Sequence, residues 1–197
     1  MSPPVSGDAG RPSTRTTPNN LQAEESLLGA MLLSRDAIAV GTEVVRAEHF
    51  YKPAHAHVFE AIATLYGAGE PADPITVADE LNRAGLLDAV GGPAALVALQ
   101  ASAPAISNAR RYAEIIEELA LLRSMIATAG EIAELGYSLP DDVAKAVDQA
   151  ESMIFNLAQH RVASSTASVH ELLGETLDRL EQLYERDRKS TRLNSSH

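Results

Sequence analysis

Between Asn108 and Leu135 the chain contains no proline and a single glycine, Gly130. Apolar side chains recur there at Tyr112, Ile115 and Ile116, Leu119, Leu122, Ile126, Ala129 and Ala133. Recurrence every three or four residues is the signature of one helix face. The run therefore predicts an amphipathic helix of about 28 residues, roughly 42 Å long. A helix of that length outruns a small globular core, so it needs a partner helix or a neighbouring chain.

The partner is close in sequence. "GYSLPDD" at 136–142 interrupts the helix, and a second helical pattern runs over about 141–161. Val143, Val147, Ala150, Ile154 and Leu157 alternate steps of four and three, which is the seam of a two-helix pairing. Two long helices with a short connection fold back as an antiparallel hairpin, here over 108–161.

Upstream, the pattern is of short helices. Asn19 with Gln22 reads as a capping box before "LQAEESLLGAMLLS", where Leu21, Leu28, Met31 and Leu32 share a face. A second helix covers about 35–46. A third begins near Pro53 and ends at Gly67 and Gly69. Asp73-Pro74 precedes a fourth, with Thr76 and Asp79 as its capping pair and Gly85 as its stop. Pro93 opens a fifth after Gly91-Gly92. Alanine dominates the apolar residues and tryptophan is absent, which suits closely packed helices. The expected fold is all-α, a compact cluster of short helices (19–102) followed by the long antiparallel helical hairpin (108–161), then a linker helix.

The flanks differ from this core. Residues 1–18 are rich in Pro, Ser, Thr and Gly and are expected to be a disordered tail. "VASSTAS" reads as a flexible linker over 162–168, preceding a helix at 169–188 with a stripe of Val169, Leu173, Leu177, Leu180 and Tyr184. That stripe has no evident mate within the chain. The last nine residues, 189–197, do not continue the pattern and read as an appended tail.

Charge and composition exclude several functions. The formal net charge is −11 and only three lysines occur, Lys52, Lys145 and Lys189. Nucleic-acid affinity rests on clustered Lys and Arg, so a DNA-gripping surface is not expected here. A basic protein partner would instead be steered in. "ITVADELNRAGLLDAVGG" has helix-turn-helix spacing, but Arg83 is its only basic residue. Cysteine is absent, so disulfides and thiolate chemistry are excluded. No apolar run reaches the length of a membrane span and no signal peptide is visible, so a cytoplasmic protein is expected.

"EHFYKPAHAHVFEAI" at 48–62 concentrates three of the six histidines and invites a metal reading. His55 and His57, two apart on a helix, point about 200° from each other and cannot share an ion. No histidine has glutamate three residues before it, as a di-iron bundle requires. The simpler reading makes Phe50, Tyr51, Val58, Phe59 and Ile62 core, with the histidines hydrogen-bonding locally. Glu24/Glu25 and Glu117/Glu118 read as solvated helix faces. Neither a Gly-x-Ser-x-Gly elbow nor a Gly-Lys-Ser/Thr loop occurs, so no catalytic residue, cofactor-binding loop or metal site is expected.

The first hairpin helix is apolar around more than half its circumference in "IIEELALLRSMIATAG", more than one partner helix covers. Tyr112, Ile116, Leu119, Arg123 and Ile126, with Val147 and Ile154, are the candidates for carrying assembly. Leu173, Leu177, Leu180 and Tyr184 are the docking stripe of the linker helix.

The order of these parts, with "PNNLQAEESLLGAMLLS", "EHFYKPAHAHVFEAI", "PITVADEL", "GLLDAVGGPAALVAL" and "NARRYAEIIEELALLR", resembles the N-terminal part of the bacterial replicative DNA helicase family, DnaB, with alanine richness like that of its actinobacterial members. "LDRLEQLYE" is similar to the family's linker helix. The resemblance implies a hexameric ring with a collar built as a trimer of dimers through pairs of hairpins. It also implies docking of primase on that collar, with a helicase loader as a further partner and single-stranded DNA passing through the ring. The family's motor uses ATP and Mg²⁺ to unwind DNA 5′ to 3′. The chain ends before any such motor, so this fragment is expected neither to hydrolyse ATP nor to unwind DNA, and its linker helix to be disordered or packed on another copy. The alternative is a stand-alone helical adaptor without a motor.

Overall fold

The computed structural model describes residues 16–159 and is entirely helical there, with no strand among the described residues. Residues 1–15 of the expected tail, the linker, and the linker helix with its stripe of Leu173, Leu177, Leu180 and Tyr184 lie outside the described residues, whereas Pro18, placed in that tail, is described and its carbonyl is held by Arg123. The chain divides into two compact units at Arg123/Ser124.

The first unit contains α1 (Leu21–Met31), α2 (Arg35–Val44), α3 (Pro53–Gly67), α4 (Pro74–Arg83), α5 (Leu87–Val90), α6 (Gly92–Ala101) and the start of α7 (Ala109–Tyr137). Single 3-10 turns at Ala47–His49 and Ile106–Asn108 join these helices. Five short helices were expected before the long one. The structure adds α5, a single turn too short to show periodicity in sequence.

Local chemistry sets each boundary. The α1 cap is Asn20, whose side chain accepts from Ala23 N–H at 3.0 Å, one residue later than the expected Asn19 box. At α4 the cap is Asp73 rather than Thr76. Asp73 Oδ1 accepts from Thr76 N–H at 3.0 Å, while Thr76 Oγ1 accepts from Asp73 N–H at 3.0 Å. That reciprocal pair satisfies two otherwise orphaned donors, and Pro74 at N1 loses none. The α3 and α4 exits share one solution. Leu65 and Leu81 carbonyls accept from Glu70 and Leu86 N–H at 2.9 and 2.8 Å. Each closure wraps a left-handed glycine, Gly69 (φ 78°) and Gly85 (φ 72°).

The core is centred on α1, which packs against α2, α3 and α6. Leu27, Leu28, Met31, Val58, Ile62, Val77, Leu81 and Leu96 are almost wholly removed from solvent. Each such side chain contributes about 1.5–3 kcal/mol by burial. Gly29 lets α1 and α6 approach, because a Cβ there would lie 2.2 Å from the Leu99 carbonyl oxygen. From α7, residues 109–123, the buried positions are Ala109, Ala113, Ile116 and Ala120. Ile116 of the expected stripe lies on this line, while Tyr112 and Leu119 are half-buried beside it and Ile126 is exposed, since small side chains allow the closer approach.

The second unit, within the described residues, holds α7 over 124–137 and a helix α8 over 143–159. The linker between them is 138–142, where Leu139 takes a left-handed conformation (φ 49°) before Pro140. Among the α8 positions the less exposed are Ala146, Ala150, Met153 and Leu157, one helical face. Of the expected seam, Ala150 and Leu157 lie on this face, whereas Val143, Val147 and Ile154 are exposed. Steps of four and three recur in both registers, so the sequence pattern alone did not select between them.

Candidate functional site

Two constellations stand out in the first unit, and both come from the histidine segment. Glu24, expected on a solvated face, is 1% exposed, and His55 is 3% exposed. Glu24 Oε2 lies 2.7 Å from His55 Nδ1, and Glu24 Oε1 accepts from Tyr51 N–H at 2.7 Å. Lys52 N–H points to Oε2 at 3.4 Å. Lys52 is the N-cap of α3 and supplies no side-chain cap. The carboxylate of α1 thus satisfies the turn that leads into α3, and a buried acid survives because each oxygen is hydrogen-bonded. Local hydrogen bonding was expected for the histidines, but His55 finds its partner 31 residues away.

His49 does bond locally, its Nδ1 accepting from Arg46 N–H at 3.3 Å. Burial lowers the His49 pKa below 6.5, opposed by Glu48 and Glu117 and reinforced by Arg46 and Arg123. The His49 carbonyl accepts from Arg123 Nη2, and the Pro18 carbonyl accepts from Arg123 Nη1 at 2.8 Å. The same guanidinium lies 5.8 Å from the Tyr51 ring centroid. One arginine thereby ties α7 to the segment before α1 and to the turn before α3.

No cluster of three or more His, Asp or Glu among the described residues could hold a metal ion. Glu118 is exposed, as expected for a solvated helix face, whereas Glu117 is half-buried. What the second unit offers is apolar surface. Met125 and Ile126 on α7, with Val143, Val147, Ile154 and Phe155 on α8, are each more than half exposed.

These helices match a known group. Residues 16–118 fit the DnaB-like helicase N terminal domain. The chain belongs to this family. It is 43% identical over 182 residues to the replicative DNA helicase DnaB of Mycobacterium leprae, covering 91% of this chain and 30% of that protein. To the replicative DNA helicase DnaC of Bacillus subtilis it is 37% identical over 172 residues, covering 87% and 38%. Among solved structures it is similar to the N-terminal domain of DnaB helicase from Mycobacterium tuberculosis, with TM-score 0.69 and 46% identity, covering 72% of this chain and 99% of that one. The chain thus spans only about a third of the length of these full relatives.

Within this DnaB-like domain the expected assembly residues separate into two groups. Ile116 is 3% exposed in the core, and Tyr112 and Leu119 are half-buried. Arg123 is half-buried and holds the contacts just described. Ile126, Val147 and Ile154 are open to solvent. Sequence reasoning missed Glu24, because "AEES" looks the same whether the first or the second glutamate turns inward. The available signal was that Lys52 cannot cap α3, so an acceptor from elsewhere was needed.

Proposed function

We propose that the second unit is a self-association surface, through which copies of this chain build the collar of a replicative helicase. The observation that supports it is the exposure of Met125, Ile126, Val143, Val147, Ile154 and Phe155 on two helices of one DnaB-like chain. Six large apolar side chains so placed would be buried against another copy rather than left in water. Dimers through paired hairpins, closing as a trimer of dimers in a hexamer, use that surface fully.

The collar also serves as a platform for primase, coupling primer synthesis to unwinding. Support comes from two structural neighbours at 22% identity, a DnaB-like replicative helicase described with its interactions with primase and the DnaB N-terminal domain of Helicobacter pylori described likewise. A helicase loader is a further partner of the same collar. In this reading the longer protein uses ATP and Mg²⁺ to drive 5′ to 3′ unwinding with single-stranded DNA in the ring, in the cytoplasm. The domain itself contributes no catalytic residue. No helix among the described residues is long and apolar enough to cross a membrane.

Light scattering after size exclusion tests the assembly. Concentration-dependent dimers or larger species are expected, and a strict monomer at high concentration would overturn the reading. Calorimetric titration with the helicase-binding domain of primase tests the platform, with saturable binding expected.

A further inference from the structure

The ring of His55 has a second nitrogen that the Glu24 contact does not use. No buried side-chain nitrogen or oxygen among the described residues lacks a partner. Nε2 makes no hydrogen bond, so it must reach open space, and His55 lines a cavity of about 210 Å³ within the first unit. Glu24 already accepts backbone N–H bonds and is acceptor-only as a carboxylate, so Nδ1 carries the proton toward it. In the neutral ring this leaves Nε2 as a lone-pair acceptor facing the cavity.

The other polar lining groups share that bias. Ser102 Oγ donates its single proton to the Leu99 carbonyl at 2.7 Å, leaving its oxygen to accept. Glu25 lines the cavity with a carboxylate that has no ion-pair or hydrogen-bond partner among the described residues. Lys52 supplies the only opposing charge, on an exposed side chain. Val90, Ala95 and Leu99 form an apolar wall. Three acceptors beside an apolar wall, in a space the size of one side chain, fit a donor tip on an aliphatic stem. Arginine matches best, since its planar fork carries five donors and its methylenes cover apolar surface.

We propose that this cavity between α1, α3 and α6 is a binding site for an arginine side chain presented by a basic segment of a protein partner. The formal net charge of −11 draws such a segment in. Glu25 takes the guanidinium charge, while His55 Nε2 and the Ser102 oxygen accept its remaining N–H groups. The site is formed by residues of the first unit alone and does not depend on the assembly reading.

Titration of the ¹⁵N-labelled chain with acetyl-Gly-Arg-Gly-amide tests this, with the citrulline peptide as the uncharged isostere and acetyl-Gly-Asp-Gly-amide as the anion. Saturable shifts at His55 Nε2 and the Ser102 amide are expected for the arginine peptide. The citrulline peptide should bind about tenfold more weakly, as for loss of a charge-assisted hydrogen bond. Glu25→Gln should weaken arginine binding about fivefold, and Lys52→Met should strengthen it about twofold by removing a like charge. Neither change touches the backbone groups that Glu24 holds, so both variants remain folded. Equal binding of citrulline, preference for the aspartate peptide, weaker binding in Lys52→Met, or no saturable shift at all would each overturn the proposal.

Discussion

Glu24 and His55 lie 31 residues apart in sequence and 2.7 Å apart in space, both almost fully buried. The pair joins the first helix to the third at the point where α3 lacks a cap of its own. Glu24→Ala would leave Tyr51 N–H and His55 Nδ1 without an acceptor in the interior. Destabilisation of about 1–3 kcal/mol for each buried donor left unsatisfied is expected. Glu24→Gln should cost less, because its carbonyl oxygen still accepts one bond. Urea denaturation midpoints check the order, and equal losses for both changes would count against the cap.

His49 makes stability depend on pH. Burial holds its pKa below 6.5, so the folded state resists a proton that the unfolded chain accepts readily. Its contribution is complete above the unfolded value and is lost as pH falls through the lower folded value. Protonation would also remove the acceptor that Arg46 N–H uses. Wild type should lose stability relative to His49→Asn as pH drops from 7 toward 5, by at most about 1.4 kcal/mol per pH unit. Parallel curves for the two proteins over that range would refute the assignment.

Arg123 holds the Pro18 and His49 carbonyls with two of its nitrogens. Lysine keeps the charge but cannot reach both acceptors in a fixed fork. Arg123→Lys is expected to cost about 1–2 kcal/mol. It should also speed amide exchange in the 3-10 turn at Ala47–His49, as hydrogen-exchange mass spectrometry would show.

Two glycines in helices should respond oppositely to alanine. At Gly29 the added carbon meets a backbone oxygen at 2.2 Å, so α1 and α6 must separate. A loss of about 2–3 kcal/mol or more is expected from overpacking. At Gly130 nothing lies within 4 Å, and alanine should add about 0.5–1 kcal/mol through helix propensity. Thermal melts of the two variants give the comparison directly.

Ile116 and Ile126 separate core from surface along a single helix. At Ile116, 3% exposed, aspartate would bury an unpaired charge and is expected to unfold the first unit. At Ile126, 53% exposed, it should leave circular dichroism unchanged and shift the species in light scattering toward monomer. A folded, unaltered oligomer from Ile126→Asp would remove this residue from the assembly surface.

The sequence alone determined much of this protein, because the deciding forces are local. The run without proline from Asn108 to Leu135 had to be a long helix. Asp73-Pro74, Gly69 and Gly85 set helix ends through backbone conformation, which neighbours in sequence control. The family was legible from ordered motifs, and the isolation of His55 from His57 followed from helical geometry. Tertiary structure alone decided which of two adjacent glutamates turned inward, which register of α8 faced away from solvent, and that α7 buried Ala109, Ala113 and Ala120 with Ile116 while Tyr112 and Leu119 stayed half-buried. Each was a choice between nearly equivalent faces of one helix. Periodicity fixes the spacing of a stripe, but which stripe is buried depends on the shape and unsatisfied polar groups of the helices it meets.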